Sequence, residues 1–224
     1  MQTVDFQSAG TVERHKMKLV ILGANGRTGS LVVREALQRG ETVTAVVRSD
    51  AKRPTIQHDQ LNVVIGDPCD SKFLSGVFQH QDAVISTLGG RKPTKKATSI
   101  YWMSADAIAE AAWDTGLKKV AVTSSALLFP PRRLVDSLLV FIARNIVQSA
   151  SCMEQKLSTA NLDVVVARCG FLTDVDEIRY RAKRGSMPEG GSSVSRMNLA
   201  RFLVDMIQKP YSGLQVYGIS GPSA

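Results

Sequence analysis

Short apolar runs, each followed by a stretch with helical spacing, recur along almost the whole chain. The runs Lys18 to Leu22, Thr42 to Val47, Asn62 to Ile65, Ala83 to Ser86, Val120 to Thr123, Val164 to Ala167 and Gln215 to Ile219 are rich in Val and Ile and apolar on both faces. That pattern belongs to strands covered on both sides by helices. Between them, Thr28 to Arg39, Ser71 to Gln79, Ser99 to Thr115 and Met153 to Ala160 carry helical periodicity, and Gly40 and Gly116 stand where a helix would end on a left-handed residue. Strand and helix in alternation imply parallel strands joined by crossovers. The expected fold is therefore α/β, a Rossmann-type doubly wound parallel sheet in a single domain with small insertions on the substrate side.

Length and composition agree with that plan. A chain of 224 residues, 44% of them hydrophobic, can bury a core of ordinary domain size. The first sixteen residues have neither strand nor helix periodicity, and Met17 begins the first core strand. Residues 1–16 are expected to be a disordered extension, an upstream start or an expression remnant, and residues 17–224 to be the dinucleotide-binding domain. The segment Leu134 to Val147 is the longest apolar stretch, but it contains Asp136 and Arg144 and falls short of the roughly 20 residues of a membrane span. It reads as one amphipathic helix. Cys69, Cys152 and Cys169 show no pairing or zinc-type spacing, so neither a disulfide framework nor a metal site is expected. With no export signal in the first residues, a reducing cytoplasm is the expected location.

The chemistry-bearing stretch is LVILGANGRTGS, residues 19–30, in which Gly23, Gly26 and Gly29 follow directly on an apolar strand and open a helix. Such a turn presents free amides and the positive end of the helix dipole to a pyrophosphate. The spacing is GxxGxxG and not GxGxxG, so context carries the reading, and a tight turn with close helix packing is the competing explanation. At the end of the second strand an acidic residue would serve the ribose hydroxyl of NAD; Arg48 and Ser49 stand there instead. A guanidinium suits a 2′-phosphate, so NADP(H) is the expected cofactor. Asp50 is the one feature against it.

The run LVILGANGRTG, VTAVVRS, VVIGDPCD, DAVISTLGG, GLKKVAVTSSALL and LDVVVARCGFL resembles the atypical short-chain dehydrogenase/reductase superfamily, in particular its NmrA-like and flavin or biliverdin reductase-like branch. The resemblance covers nearly the whole chain from Met17. It implies that Gly23, Asn25, Gly26, Arg27, Thr28 and Gly29 hold the pyrophosphate and that Arg48 and Ser49 meet the 2′-phosphate. It further implies that Gly66 and Asp67 border the adenine, that Leu88, Gly89 and Gly90 line the ribose, and that Thr123, Ser124 and Ser125 lie beside the nicotinamide. Cys169 replaces the proline of the family's R-P-G segment and, with Gly170, is expected near the carboxamide.

One departure shapes the functional expectation. The YxxxK pair that serves typical members as proton donor is absent: Ile146 and Ala150 occupy its positions, and Tyr101 and Tyr180 fall in the wrong segment or spacing. The expected activity is reduction of a conjugated acceptor such as a flavin or quinone by NADPH, with Ser124 as the candidate catalytic hydroxyl. The alternatives are an NADP-binding redox sensor of the NmrA type without turnover, and an assembly factor that keeps the fold for structure alone. Leu127, Leu128, Phe129 and the Leu138 to Ile142 face are candidates for an apolar wall against a planar acceptor, or else a core or dimer contact.

The net charge of +8 is concentrated at Arg91 to Lys96, Arg132 and Arg133, and Arg179 to Arg184, all expected in loops near strand ends. A solvated rim, steering of an anionic ligand and nonspecific nucleic-acid binding remain open, in that order, since no nucleic-acid motif accompanies the charge. The expected partner is a small molecule, planar or anionic. No membrane partner is implied, and the oligomeric state is undetermined.

Overall fold

The computed structural model describes residues 16–90, 92–131, 134–175 and 179–222. Expectations for residues 1–15, Arg91, Arg132 and Arg133 lie outside them. The first half runs β1 (Lys18–Leu22), α1 (Gly29–Gln38), β2 (Thr42–Val47), β3 (Leu61–Ile65), α2 (Ser71–Phe78), β4 (Ala83–Ser86), α3 (Lys95–Thr98) and α4 (Ile100–Thr115). The second half runs β5 (Lys119–Ser125), α5 (Leu134–Ile142), α6 (Arg144–Thr159), β6 (Asp163–Cys169), β7 (Phe171–Thr173), β8 (Arg181–Arg184), β9 (Ser193–Ser195), α7 (Arg196–Ile207) and β10 (Leu214–Ser220).

Eight strands form one sheet in the order β3-β2-β1-β4-β5-β6-β10-β8, parallel except for β8, which runs antiparallel to β10. The order turns back on itself between β1 and β4, the switch point at which open α/β sheets bind ligands outside the carboxyl ends of their strands. β1 shows why this sequence makes a covered strand. Leu19 and Ile21 enter the core beneath α1 and α7, whereas Val20 and Leu22 enter the opposite core with Leu74 and Phe78 of α2, Ile108 of α4 and Leu157 of α6. These four side chains of β1 are fully buried, and only Lys18 at its start is exposed. Burial of each contributes about 1.5–3 kcal/mol.

The helix ends follow local chemistry. Past α1, Gly40 takes φ +80° and donates to the Leu37 carbonyl, while Glu41 donates to that of Ala36, which closes the helix as a Schellman turn. Asp70 caps α2 and Ser195 caps α7 through backbone amides of the first turn. Arg39, at the end of α1, bridges Glu35 and Asp205 of α7 at 2.6 Å each and so ties the two helices together.

Four readings of the sequence change. Lys95 and Lys96, expected in a loop, form the start of the short helix α3, capped by the Thr94 hydroxyl. The amphipathic segment from Leu134 to Val147 is two helices, not one, because the chain breaks at Ala143, where the backbone leaves helical angles (φ −92°, ψ 17°). Residues 181–184 form a strand, not a loop: β8 pairs with β10, and its Lys183 and Arg184 are exposed on the sheet edge, where charge discourages further pairing. The expected apolar wall also divides. Leu127, Leu128 and Phe129 are half-buried, but Leu138, Phe141 and Ile142 point into solvent.

Candidate functional site

At the carboxyl end of β1 the glycines do three different jobs. Gly23 adopts φ +79° and its carbonyl accepts from the Gly26 amide at 2.8 Å, which closes the turn. A Cβ at position 29 would lie 2.0 Å from that same carbonyl oxygen, so Gly29 is required for helix to pack on strand. A Cβ at position 26 would meet only the Gly23 oxygen, at 3.1 Å, and otherwise faces open space. Gly26 thus leaves room above the first turn of α1, where the Ser30 amide donates to the Gly26 carbonyl at 2.9 Å and the Leu31 and Val32 amides to that of Thr28 at 3.0 Å. Thr28 makes no side-chain cap there.

Neighbouring strands bring the other expected residues to the same edge. β2 pairs with β1 so that Val46 lies opposite Leu22, which sets Arg48 and Ser49 just beyond the turn. Arg48 is exposed. Asp50, the feature against a phosphate-binding reading, is held by Arg53 in an ion pair within the short helical turn 50–52. From the end of β3, the Asp67 carboxylate accepts from the Cys69 amide at 3.0 Å. Burial pushes the Cys69 thiol up to about 11, with Asp67 adding to the effect and Arg48 opposing it. Gly66 has a packing role, since a Cβ there would enter the ring of Phe73 at 2.3 Å.

β4 contributes a residue that spacing alone does not reveal. The Thr87 hydroxyl donates to the Leu22 carbonyl at 3.2 Å and sits against the glycine turn, fixing the β1 and β4 ends together. Leu88 packs near Gly23. A Cβ at Gly89 would stand 3.1 Å from the Tyr101 hydroxyl, so this phenol, from the first turn of α4, reaches the strand end that its sequence position did not suggest. Burial raises its pKa to about 12, with Cys169 adding to the effect, and keeps it neutral and able to donate.

Beyond β5 and β6 lies a buried ionic network. The Ser124 hydroxyl donates to Glu154 at 2.6 Å, and Arg168 donates to both carboxylate oxygens of Glu154, at 3.0 and 2.6 Å. Arg168 also reaches the Leu128 carbonyl at 3.2 Å and stacks on Phe129, 4.7 Å from its centroid. Cys169 donates its thiol to the Ser124 carbonyl at 3.3 Å; burial pushes that thiol up to about 12, so it behaves as a small apolar side chain and not as a nucleophile. Thr123 and Ser125 end β5, and Ser125 caps the following turn through the Leu127 amide. Gly170 is needed where β7 meets the Ser192 carbonyl, 2.1 Å from a Cβ placed there. Asp174 takes Arg27 of the glycine turn on one oxygen and Arg196 on the other, the latter at 2.7 Å. Glu154, Arg168 and Asp174 escape a sequence reading because no local spacing links them. Among the described residues no cluster has the make-up of a metal site.

A family model for NAD(P)H-binding proteins matches residues 23–210, from the glycine turn to beyond α7. The chain belongs to the NAD(P)H-binding family. A curated relative, the photosystem II assembly factor Ycf39 of Synechocystis, is 26% identical over 160 residues, which span 70% of this chain and 45% of the relative. The chain thus spans under half the length of that relative. Among solved structures, the oxidoreductase ylbE from Lactococcus lactis has a TM-score of 0.78 at 17% identity, covering 93% of this chain and 92% of that one. ChuY, an anaerobillin reductase from Escherichia coli, has a TM-score of 0.74 at 20% identity, covering 92% and 98%. The structural likenesses show the Rossmann-type fold. For this family member, no helix among the described residues is long and apolar enough to cross a membrane.

Proposed function

We propose that this NAD(P)H-binding protein is an NADPH-dependent reductase of a conjugated acceptor, a flavin, a quinone or a similar planar molecule. The observation that carries the cofactor preference is Arg48, exposed at the end of β2 beside the open glycine turn, with the nearby Asp50 already paired to Arg53. The residues fit a dinucleotide: Gly26 leaves space over the start of α1, and Arg27, Thr28 and Arg48 would supply donors beside it. When bound, a nicotinamide cofactor supplies a hydride.

The chain's own residues would bind and orient. The glycine turn, residues 23–29, would hold the pyrophosphate, Arg48 and Ser49 the 2′-phosphate, and Leu88 to Gly90 the ribose side. Thr123, Ser124 and Ser125, with Cys169 and Gly170, would form the floor beside the nicotinamide. With no YxxxK pair, an acceptor that spreads incoming charge over its own ring system is favoured over an isolated carbonyl. The fold is shared with an anaerobillin reductase, which accords with this choice. The test is loss of NADPH absorbance with matched panels of flavins, quinones and simple ketones. Turnover is expected with the first two and not with the third.

A second reading, an NADP-binding sensor without turnover, is favoured by one observation: the Ser124 hydroxyl is already committed to Glu154. Tight NADP(H) binding in calorimetry with no turnover across the whole panel selects it.

A further inference from the structure

We propose that α5 docks this protein on the surface of an anionic lipid bilayer. Leu138, Phe141 and Ile142 are 59%, 66% and 62% exposed, and their i, i+3, i+4 spacing puts them on one stripe of the helix. Single exposed apolar residues are ordinary, but a stripe of three large ones on an amphipathic helix marks a contact surface. The expectation of no membrane partner rests on the length needed for a span. A helix that lies in the interface does not need that length.

Charge decides what covers the stripe. Arg144, at the start of α6, lies over the Phe141 ring at 5.6 Å, so a cation and the apolar tip share one spot. The Asn145 side chain donates to the Pro93 carbonyl at 2.8 Å, and Ser149 donates to Thr98 at 3.0 Å. These bonds bring the exposed Lys92, Lys95 and Lys96 beside the α5–α6 junction. Among the described residues of segments 88–104 and 126–153 the cations are Lys92, Lys95, Lys96 and Arg144, against one acid, Asp136. An apolar stripe rimmed by cations is the chemistry of peripheral binding to anionic lipid. A second copy docked through the same patch about a two-fold axis would set these cations against their own images, which disfavours self-association there.

The surface follows the carboxyl end of the sheet, the end that carries the candidate site, because α5 comes after the turn 126–128 that leaves the carboxyl end of β5. The proposal does not rest on the reductase reading, since its readout is vesicle binding without cofactor or acceptor.

The experiment is cosedimentation of the full chain with vesicles of phosphatidylcholine and phosphatidylglycerol (three to one) and with vesicles of phosphatidylcholine alone. Binding is expected to the first and not to the second. Phe141→Asp with Ile142→Asp should abolish it, and Lys95→Gln with Lys96→Gln should weaken it about 25-fold, at about fivefold for each cation near the surface. Unchanged melting temperatures certify the variants as folded; Leu138→Gln serves as a milder replacement if the double aspartate variant does not fold. Glycerophosphate at millimolar concentration should leave binding intact, which distinguishes the bilayer from a headgroup-phosphate site. The proposal is overturned by no binding to anionic vesicles, by binding that survives loss of the apolar stripe, or by competition from free glycerophosphate. It is equally overturned if sedimentation shows a dimer that the Phe141 and Ile142 changes dissociate.

Discussion

Ser124 donates its hydroxyl to Glu154 across 2.6 Å, from the end of β5 to the middle of α6, with both residues more than 90% buried. Arg168 completes the carboxylate's bonding from β6. The contact gives the candidate catalytic hydroxyl a structural task. Ser124→Ala is expected to destabilise by about 1.5–3 kcal/mol, the range for a bond to a charged group. Glu154→Ala should destabilise by about 3–5 kcal/mol, since it strands the Arg168 guanidinium without its partner. Urea unfolding measures both. If Ser124 also orients an acceptor, turnover of Ser124→Ala falls within about 10²-fold while NADP(H) affinity holds.

Arg48→Ser should erase most of the preference for NADP(H) over NAD(H) and leave NAD(H) affinity nearly unchanged. Only the 2′-phosphate distinguishes the two ligands, and an exposed guanidinium contributes about 1.5–3 kcal/mol through a charge-assisted bond. Calorimetry with all four ligands checks it. Equal affinities in the unmodified protein would remove the basis of the cofactor proposal.

Gly26 and Gly29 can be separated by substitution. Gly29→Ala forces a Cβ to within 2.0 Å of the Gly23 carbonyl, so it should destabilise by more than the 1–3 kcal/mol of ordinary overpacking. Gly26→Val meets only a 3.1 Å contact and should melt close to the unmodified protein, yet fill the space a pyrophosphate needs. Retained dinucleotide binding by a folded Gly26→Val protein would put the phosphates elsewhere.

Asp174 pairs with Arg27 of the glycine turn, and its carboxylate is a negative charge beside the expected phosphates. Asp174→Asn removes an exposed pair with Arg27 and keeps an oxygen that can accept from the more buried Arg196, so it should change stability by about 1 kcal/mol or less. It should also tighten NADP(H) binding, with the gain shrinking at high salt. Weaker binding in calorimetry would mean instead that Asp174 holds Arg27 in its productive position.

The seven core strands and three of the helices were legible because their residues carry the period of the element: β1 is apolar on both faces, and α1 ends on Gly40. The Ser195 cap and the spacing of Leu199, Phe202, Leu203, Met206 and Ile207 also carry the helical period of α7. β8 is different in kind. RAKR has no strand period, and only its pairing with β10 makes it a strand. The same distinction applies to the site. Its glycine turn is local and readable, whereas Tyr101, Glu154 and Asp174 reach it through contacts across the fold that no spacing encodes.

The last prediction concerns alkaline stability. Burial raises the Cys169 thiol from an ordinary value near 9 to about 12 and the Tyr101 phenol from 10 to about 12, and it moves Tyr180 and Tyr211 in the same direction. For each group the unfolded chain gives up its proton first. Above pH 9 the unfolded state therefore binds fewer protons than the native state, and stability falls as pH rises. The contribution is fully present below the unfolded pKa and is lost as pH climbs toward about 12. Each such group contributes at most about 1.4 kcal/mol per pH unit within that window. Urea midpoints should be level from pH 7 to pH 8.5 and decline steadily from pH 9 to pH 11. Cys169→Ala lowers stability at neutral pH by leaving a small cavity, but its decline above pH 9 should be shallower by up to one proton's worth. The slope, not the midpoint, is the diagnostic quantity, because a cavity shifts every midpoint alike. A Cys169→Ala slope identical to that of the unmodified protein would show that the thiol is not held neutral in the folded state.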